Sequence, residues 1–268
     1  MSDRSLSSVR AFLLDLDGVL YRGKTPLPGA ARFIADLQAL RVPFMFITNN
    51  STQTPSQYVA KLGRMGVRVP EEALLTSSLA TADHLSCVAP PGSPLYVIGE
   101  VGLLEAVEER GFVITGDHRA ARYVVVGHDT ALTWRKLADA TLAIRAGAAF
   151  VATNPDRTLP TEEGLLPGAG ATLAALEAAS GVVPLVVGKP EVTIFRLALA
   201  RLDVQPEVTA MVGDRWDTDI LGGNRAGLST IAVLSGVDTA DVFAQTMPRP
   251  DFLFEDLAEL HTAWRSVL

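Results

Sequence analysis

Short apolar runs and helix-spaced apolar positions alternate along this chain. Val9 to Leu14 is mostly apolar, as in a strand buried on both faces. Pro28-Gly29 breaks the pattern, and Phe33, Ile34, Leu37 and Leu40 then predict a helix over Ala30–Leu40. Phe44 to Ile47 is a second apolar strand, running into Thr48-Asn49-Asn50-Ser51. Thr54 as N-cap with Pro55 at the first helical position starts a helix that lasts to about Gly63 or Gly66. A short strand or turn at Leu74–Thr76 leads into a helix over Ser78–Ser86. Strand and helix in alternation predict an α/β fold with a parallel sheet.

From Ala89 to Pro94 the composition shifts to that of a linker, and a second alternating set follows. It comprises strands at Leu95–Ile98, Tyr123–Val126 and Phe150–Ala152, with helices at Val101–Arg110, Thr133–Ala146 and Gly168–Ala179. After a further break at Ser180–Pro184 come a strand-like Leu185–Gly188, a helix over Glu191–Leu202, strands at Val208–Val212 and Thr230–Leu234, a helical Asp217–Gly227, a short Phe252–Phe254 strand and a last helix. One βα set interrupted by another reads as an insertion. Residues 1–81 and 184–268 are expected to form the core, and 82–183 an inserted α/β domain, with a ligand crevice where they meet.

Composition narrows the function classes. At 48% hydrophobic and 20% charged residues the chain is globular, and its net charge of −7 argues against a nucleic acid polymer or an anionic membrane as partner. A single cysteine, Cys87, excludes an internal disulfide framework and a multi-cysteine zinc site. The first ten residues lack the apolar stretch of a signal peptide, and no apolar run reaches the roughly 20 residues of a membrane span. The expected setting is the cytoplasm.

Candidate chemistry gathers at predicted strand ends: Asp15 and Asp17, Thr48 and Asn49, Lys189, and Asp214 with Asp217 and Asp219 beyond it. At the ends of strands in one parallel sheet these residues would face one edge, where such sheets bind ligands. Asp15 and Asp17 share a face while the chain is extended, and Gly18 allows a sharp turn after them. Carboxylates brought together repel unless a cation neutralises them, and their hard oxygens suit Mg²⁺ better than zinc. With oxygen–metal bonds of roughly 2.1 Å, Asp15 and Asp214 must then lie within about 8 Å of each other. The four histidines, His84, His118, His128 and His261, lack metal-ligand spacing. Only four of the 23 basic residues are lysines, so Lys189 at a strand end suggests a compact ammonium aimed at phosphate or carboxylate. It is not a phosphate-loop lysine, because Pro190 follows it. Thr48 and Asn49 read equally as a polar turn or as donors to the oxygens of a transferring group. Asp217 or Asp219 could alternatively cap the following helix, the plainer reading of Asp217.

Together these segments resemble the haloacid dehalogenase-like hydrolase superfamily, and most closely its class IIA capped phosphatases, the group of p-nitrophenyl, phosphoglycolate, pyridoxal phosphate and nucleotide monophosphatases. Asp15-Leu16-Asp17-Gly18-Val19-Leu20-Tyr21 is similar to the first motif, Thr48-Asn49-Asn50-Ser51 to the second, Gly188-Lys189-Pro190 to the third and Gly213-Asp214-Arg215-Trp216-Asp217-Thr218-Asp219 to the fourth. Pro28-Gly29-Ala30 and Ala152-Thr153-Asn154-Pro155-Asp156 are also similar to the class. Trp216 stands where an aliphatic residue is commoner. The resemblance implies a Rossmann-like doubly wound core with an inserted α/β cap. It implies Asp15 as nucleophile forming an aspartyl-phosphate, and Asp17 as general acid and then base. Mg²⁺ would be held by Asp15, the Asp17 backbone carbonyl and Asp214, with Asp219 supporting. Thr48, Asn49 and Lys189 would hold the phosphoryl oxygens, with Gly18 and Asn50 in supporting places. The presence of Asp17 disfavours carbon–halogen cleavage.

The expected function is therefore a Mg²⁺-dependent phosphatase acting on a small soluble phosphorylated metabolite, and the class leaves room for a homodimer through the cap. The alternatives are a phosphomutase, which must shield the aspartyl-phosphate from water, and a non-catalytic binder of phosphorylated ligands, which has no need of a nucleophile.

Overall fold

The computed structural model describes residues 4–161 and 163–268. The chain divides into two compact units, one of residues 1–48, 58–75 and 189–268, the other of residues 49–57 and 76–188.

The first unit carries a six-stranded sheet. In chain order its strands are Ala11–Leu14, Phe44–Thr48, Leu74–Thr76, Thr209–Gly213, Ser229–Val233 and Phe252–Phe254. Numbered in that order, they lie across the sheet as 3-2-1-4-5-6. This is the doubly wound arrangement of Rossmann-like folds, in which the order reverses between the first and fourth strands. Ala11–Leu14 is parallel to Phe44–Thr48 on one side and to Thr209–Gly213 on the other. All four of its residues are buried, which is why it reads as an unbroken apolar run. Helix Ala30–Ala39 buries Phe33, Ile34 and Leu37. Helix Leu257–Arg265 buries Leu257, Leu260 and Trp264. Phe12, Phe33 and Trp264 meet edge to face with centroids 5.3–6.0 Å apart, a geometry favoured by the ring quadrupoles. Helix Pro55–Arg64 starts with a reciprocal cap: Gln57 N donates to Thr54 Oγ1, and Thr54 N donates to Gln57 Oε1.

The second unit carries a five-stranded parallel sheet in the order Leu185–Val186, Ala149–Ala152, Tyr123–Val126, Pro94–Ile98, Val113–Ile114. Helices Ser77–Val88, Val101–Glu109, Trp134–Arg145 and Ala169–Ser180 belong to it, with an antiparallel hairpin of Thr158–Thr161 and Gly164–Pro167. Its apolar centre includes Tyr96, Ile98, Val124, Val126, Ile144, Phe150, Leu173 and Leu176.

The units divide at positions other than the expected 81/82 and 183/184. Helix Ser77–Val88 packs on Val101–Glu109 and so groups with the second unit from its start. The proline-rich Ala89–Ser93 is a helix-to-strand turn inside that unit, in which Ser93 Oγ donates to the Pro90 carbonyl. Leu185–Val186 pairs with Val151–Ala152, so the chain stays in the second unit until Gly188. This corrects one expectation: Lys189 does not follow a strand of the core sheet. It enters the first unit on an irregular segment before helix Val192–Leu202. Among the described residues, no helix is long and apolar enough to cross a membrane.

Candidate active site

The first and fourth core strands place Asp15 and Asp214 side by side at the point where strand order reverses. Asp15 N donates to the Val212 carbonyl at 2.9 Å, continuing the ladder one residue beyond the strand. The fourth strand, Thr209–Gly213, delivers Asp214 at its end. A five-residue π-helical turn, Trp216–Ile220, then turns Asp219 back under the strand end. A Cβ on Gly213 would lie 2.2 Å from the Asp219 Cβ, so the approach requires glycine. One carboxylate oxygen from each of Asp15, Asp214 and Asp219 lies within 4.8 Å of the others, well inside the 8 Å that a shared cation demands.

Lys189 is 2% exposed and lies against this cluster. Its Nζ donates to Asp15 Oδ1 and Asp219 Oδ1 at 2.7 Å each and to the Ile47 carbonyl at 3.2 Å. Burial favours loss of its proton, but the two carboxylates outweigh burial and hold the ammonium well above its ordinary range. Burial, with repulsion from Asp219, raises the Asp15 carboxyl to about 6 against the pull of Lys189. Burial and the charges of Asp15 and Asp219 push Asp214 well above the usual carboxylate range. Asp214 Oδ2 accepts from Val237 N at 2.7 Å, whereas its buried Oδ1 has no hydrogen-bond partner. A buried carboxylate oxygen left in this way is costly unless a cation takes it. The donor set is all hard oxygen, as magnesium requires, and the three oxygens are close enough to converge on one ion. The residues therefore fit Mg²⁺.

Asp17 is exposed and forms an isolated bridge with Tyr21. Gly18 follows at φ +83°, and a Cβ there would come within 2.3 Å of Asp214 Oδ2. Desolvation raises the Asp17 carboxyl, opposed by Lys61, a backbone hydrogen bond from Gly23 and Arg22. Thr48 ends the second core strand, is 7% exposed and is hydrogen-bonded to the Tyr58 hydroxyl.

Asn49 and Asn50 group with the second unit. The Asn49 amide donates to both Asp156 carboxylate oxygens at 3.2–3.3 Å, and its carbonyl accepts from Ser77 Oγ and Asn154 Nδ2. Asn50 Oδ1 accepts from Thr52 N and Oγ1, forming a local turn. Asp217 stays outside the cluster, exposed and paired with Arg215 at 2.9 Å, and it makes no helix cap. The carboxylate cluster contains no histidine; His261 pairs with Asp36 and His118 with Asp139. Sequence reasoning named Asp156 only within a segment similar to the class, without its Asn49 contact, and missed Tyr58 and the Ser235–Asp238 segment. The last was within reach, since Ser235-Gly236 follows a buried apolar run as Gly18 follows Asp17.

Comparison with known proteins agrees with this geometry. Residues 12–113 match a family model described as haloacid dehalogenase-like hydrolase, and residues 186–260 match a second, HAD-hydrolase-like one. Over 255 residues the chain is 44% identical to an acid sugar phosphatase of Staphylococcus aureus, covering 95% of this chain and 97% of that protein. The solved 4-nitrophenylphosphatase of Thermotoga maritima superposes with a TM-score of 0.91 at 37% identity, covering 96% of this chain and 98% of that one. NagD from E. coli K-12 superposes at 0.87 with 36% identity, covering 94% and 98% respectively. The chain belongs to the haloacid dehalogenase-like hydrolases. Within them it is a phosphoric monoester hydrolase.

Proposed function

We propose that the chain is a Mg²⁺-dependent phosphatase that cleaves a small phosphorylated metabolite through an aspartyl-phosphate on Asp15. The observation that carries this reading is the buried, unpartnered Asp214 Oδ1 beside the carboxylates of Asp15 and Asp219. Asp15, Asp214 and the Asp17 carbonyl would hold the ion, with Asp219 supporting from behind. Bound there, Mg²⁺ supplies positive charge that lets an anionic nucleophile approach an anionic phosphate.

The remaining chemistry falls to side chains. Raised to about 6, the Asp15 carboxyl is chiefly the anion at neutral pH. One oxygen of Asp15 forms a bond to phosphorus as the ester P–O bond breaks. Asp17, whose raised carboxyl favours holding a proton, delivers it to the departing alkoxide. Asp17 then takes a proton from water, whose oxygen attacks phosphorus and releases Asp15. Lys189 and Thr48 hold the non-bridging oxygens, and fixed donors of this kind stabilise charge that grows in the transition state.

The relatives point to the substrate class. One is an acid sugar phosphatase and another a 4-nitrophenylphosphatase, so sugar phosphates are the first candidates and an aryl phosphate the convenient probe. The acidic composition and single cysteine suit a cytoplasmic setting. Phosphate release from p-nitrophenyl phosphate, measured with Mg²⁺ and with EDTA, tests the reading. Turnover should disappear with EDTA and return with excess Mg²⁺. Turnover indifferent to EDTA would refute the metal-dependent mechanism.

A further inference from the structure

We infer that the loop Ser235–Asp238, after the fifth core strand Ser229–Val233, is a clamp that fixes Asp214 for the cation. Val237 and Gly236 act in it as positioning residues. The inference rests on the Mg²⁺ reading above and adds the part of the chain that makes Asp214 a ligand.

Hydrogen bonds hold the loop in place at both ends. Val237 N donates to Asp214 Oδ2 at 2.7 Å, and Asp238 N donates to the Asp214 carbonyl at 3.2 Å. The Asp238 carboxylate accepts from Trp216 N at 2.6 Å, at the start of the turn that carries Asp219. Ser235 Oγ donates to the Gly18 carbonyl at 2.7 Å, and Arg22 donates to the Ser235 carbonyl at 2.7 Å. The loop thus ties the turn after Asp17, the Asp214 carboxylate and the turn before Asp219 into one body. Two of these segments supply Asp214 and Asp219 to the carboxylate cluster, and the other directly follows Asp17, whose carbonyl is the proposed further ligand.

Contact distances show why this stretch needs glycine. A Cβ on Gly236 would lie 1.9 Å from Asp214 Oδ2 and 2.3 Å from its Cβ and Cγ. Gly18 closes on the same carboxylate from the other direction, with a notional Cβ 2.3 Å from Oδ2. The carboxylate is gripped between two glycines, with one oxygen anchored by the Val237 amide. Its rotation is blocked, and Oδ1 is left buried and unpartnered. A single amide on Oδ2 leaves the other oxygen to the cation, and such outer partners orient ligands and tune affinity. Trp216 is held from a second side as well, since its Nε1 donates to the Pro248 carbonyl at 2.9 Å.

The test is Mg²⁺ affinity, read by calorimetric titration and by the rise in Tm with Mg²⁺, in the wild type and in Gly236→Ala. The variant should bind Mg²⁺ at least about tenfold more weakly, the usual scale for losing a partner of a metal ligand. In the absence of metal its far-UV circular dichroism should match the wild type. Equal affinity in the two proteins would overturn the clamp and leave the Mg²⁺ reading standing. No Mg²⁺ binding by the wild type would overturn both. A Gly236→Ala protein that fails to fold is replaced by a measurement on the wild type, the Val237 amide resonance during Mg²⁺ titration. A saturable shift of that resonance supports the clamp, and a resonance that does not move while Mg²⁺ binds overturns it.

Discussion

Two buried aspartates, one in each unit, show how differently the same side chain can be treated. Asp139, on helix Trp134–Arg145 of the second unit, has every oxygen matched. Arg135 grips it through two nitrogens at 2.6 and 2.8 Å, and His118 approaches to 3.2 Å. Asp214, in the first unit, is 1% exposed, receives one amide on Oδ2 and has nothing on Oδ1. A fork of donors on a carboxylate is a structural solution, since it satisfies the acid where it stands. An acid held rigid with one oxygen unmatched is unfavourable in isolation and makes sense only if a cation completes it. On the proposed reading, complete partnering marks the structural acid and organised incompleteness the one that takes the cation.

The strongest way to test that contrast is at Asp15, the proposed nucleophile. Asp15→Asn should lower kcat by at least about 10⁴-fold, the scale of losing a covalent nucleophile, in a p-nitrophenyl phosphate assay. The same change should stabilise the metal-free protein at pH 7.5. The folded-state carboxyl of Asp15 is raised from 3.8 to about 6, so the native state binds the proton more tightly than the unfolded chain does. Ionisation therefore destabilises the fold as pH rises from about 4 to 6, and an uncharged Asn escapes this. The gain is on the order of 2 to 3 kcal/mol above pH 7 and vanishes below pH 4. Denaturant melts at both pH values check it. A variant less stable than the wild type at pH 7.5 would mean that Asp15 is a structural partner of Lys189 and not a strained acid.

Lys189 tests the cluster from its cationic side. Lys189→Ala should lower kcat/KM by about 10² to 10³. It should also destabilise the metal-free protein by about 3 kcal/mol, because buried carboxylates lose their neutralising partner. Millimolar Mg²⁺ should restore part of the stability but little of the activity. Stability restored without activity would separate the neutralising role of Lys189 from its proposed role toward phosphoryl oxygens. An unchanged kcat/KM would remove Lys189 from the chemistry.

How far the sequence revealed all this depended on the range of the contacts involved. Strand and helix positions in the core were readable because Val9–Leu14, Phe44–Ile47 and Val208–Val212 are apolar runs that end in polar residues, a local pattern. Asp15 and Asp214 could be paired from sequence alone because parallel strands present their ends at one edge. Lys189 was placed on the wrong footing. Leu185–Val186 looks like any other short strand, and only pairing with Val151–Ala152 shows that it belongs to the other sheet. The compact units divide at positions other than the expected ones for a similar reason, since Pro90-Pro91-Gly92 is as good a turn as it is a linker. The Asp156–Asn49 contact joins residues 107 apart and follows no periodicity. The unpartnered Oδ1 of Asp214 is a property of three-dimensional surroundings and leaves no trace in the order of residues.

The smallest effect belongs to the fully partnered acid, and it completes the contrast. Asp139→Asn removes a carboxylate whose main partner, the Arg135 side chain, is 70% exposed and returns to water at little cost. The loss should be about 1 kcal/mol, the scale of an exposed (i, i+4) pair with a hydrogen bond added, and kcat/KM for p-nitrophenyl phosphate should change less than about threefold. Mg²⁺ affinity should not change, because neither Asp139 nor its partners belong to the carboxylate cluster. A melt, a rate measurement and a Mg²⁺ titration on one preparation settle the matter. Should Asp139→Asn weaken Mg²⁺ binding as much as Gly236→Ala, complete partnering would no longer separate structural from functional acids in this protein. The assignment of Asp214 would then need support beyond its unmatched oxygen.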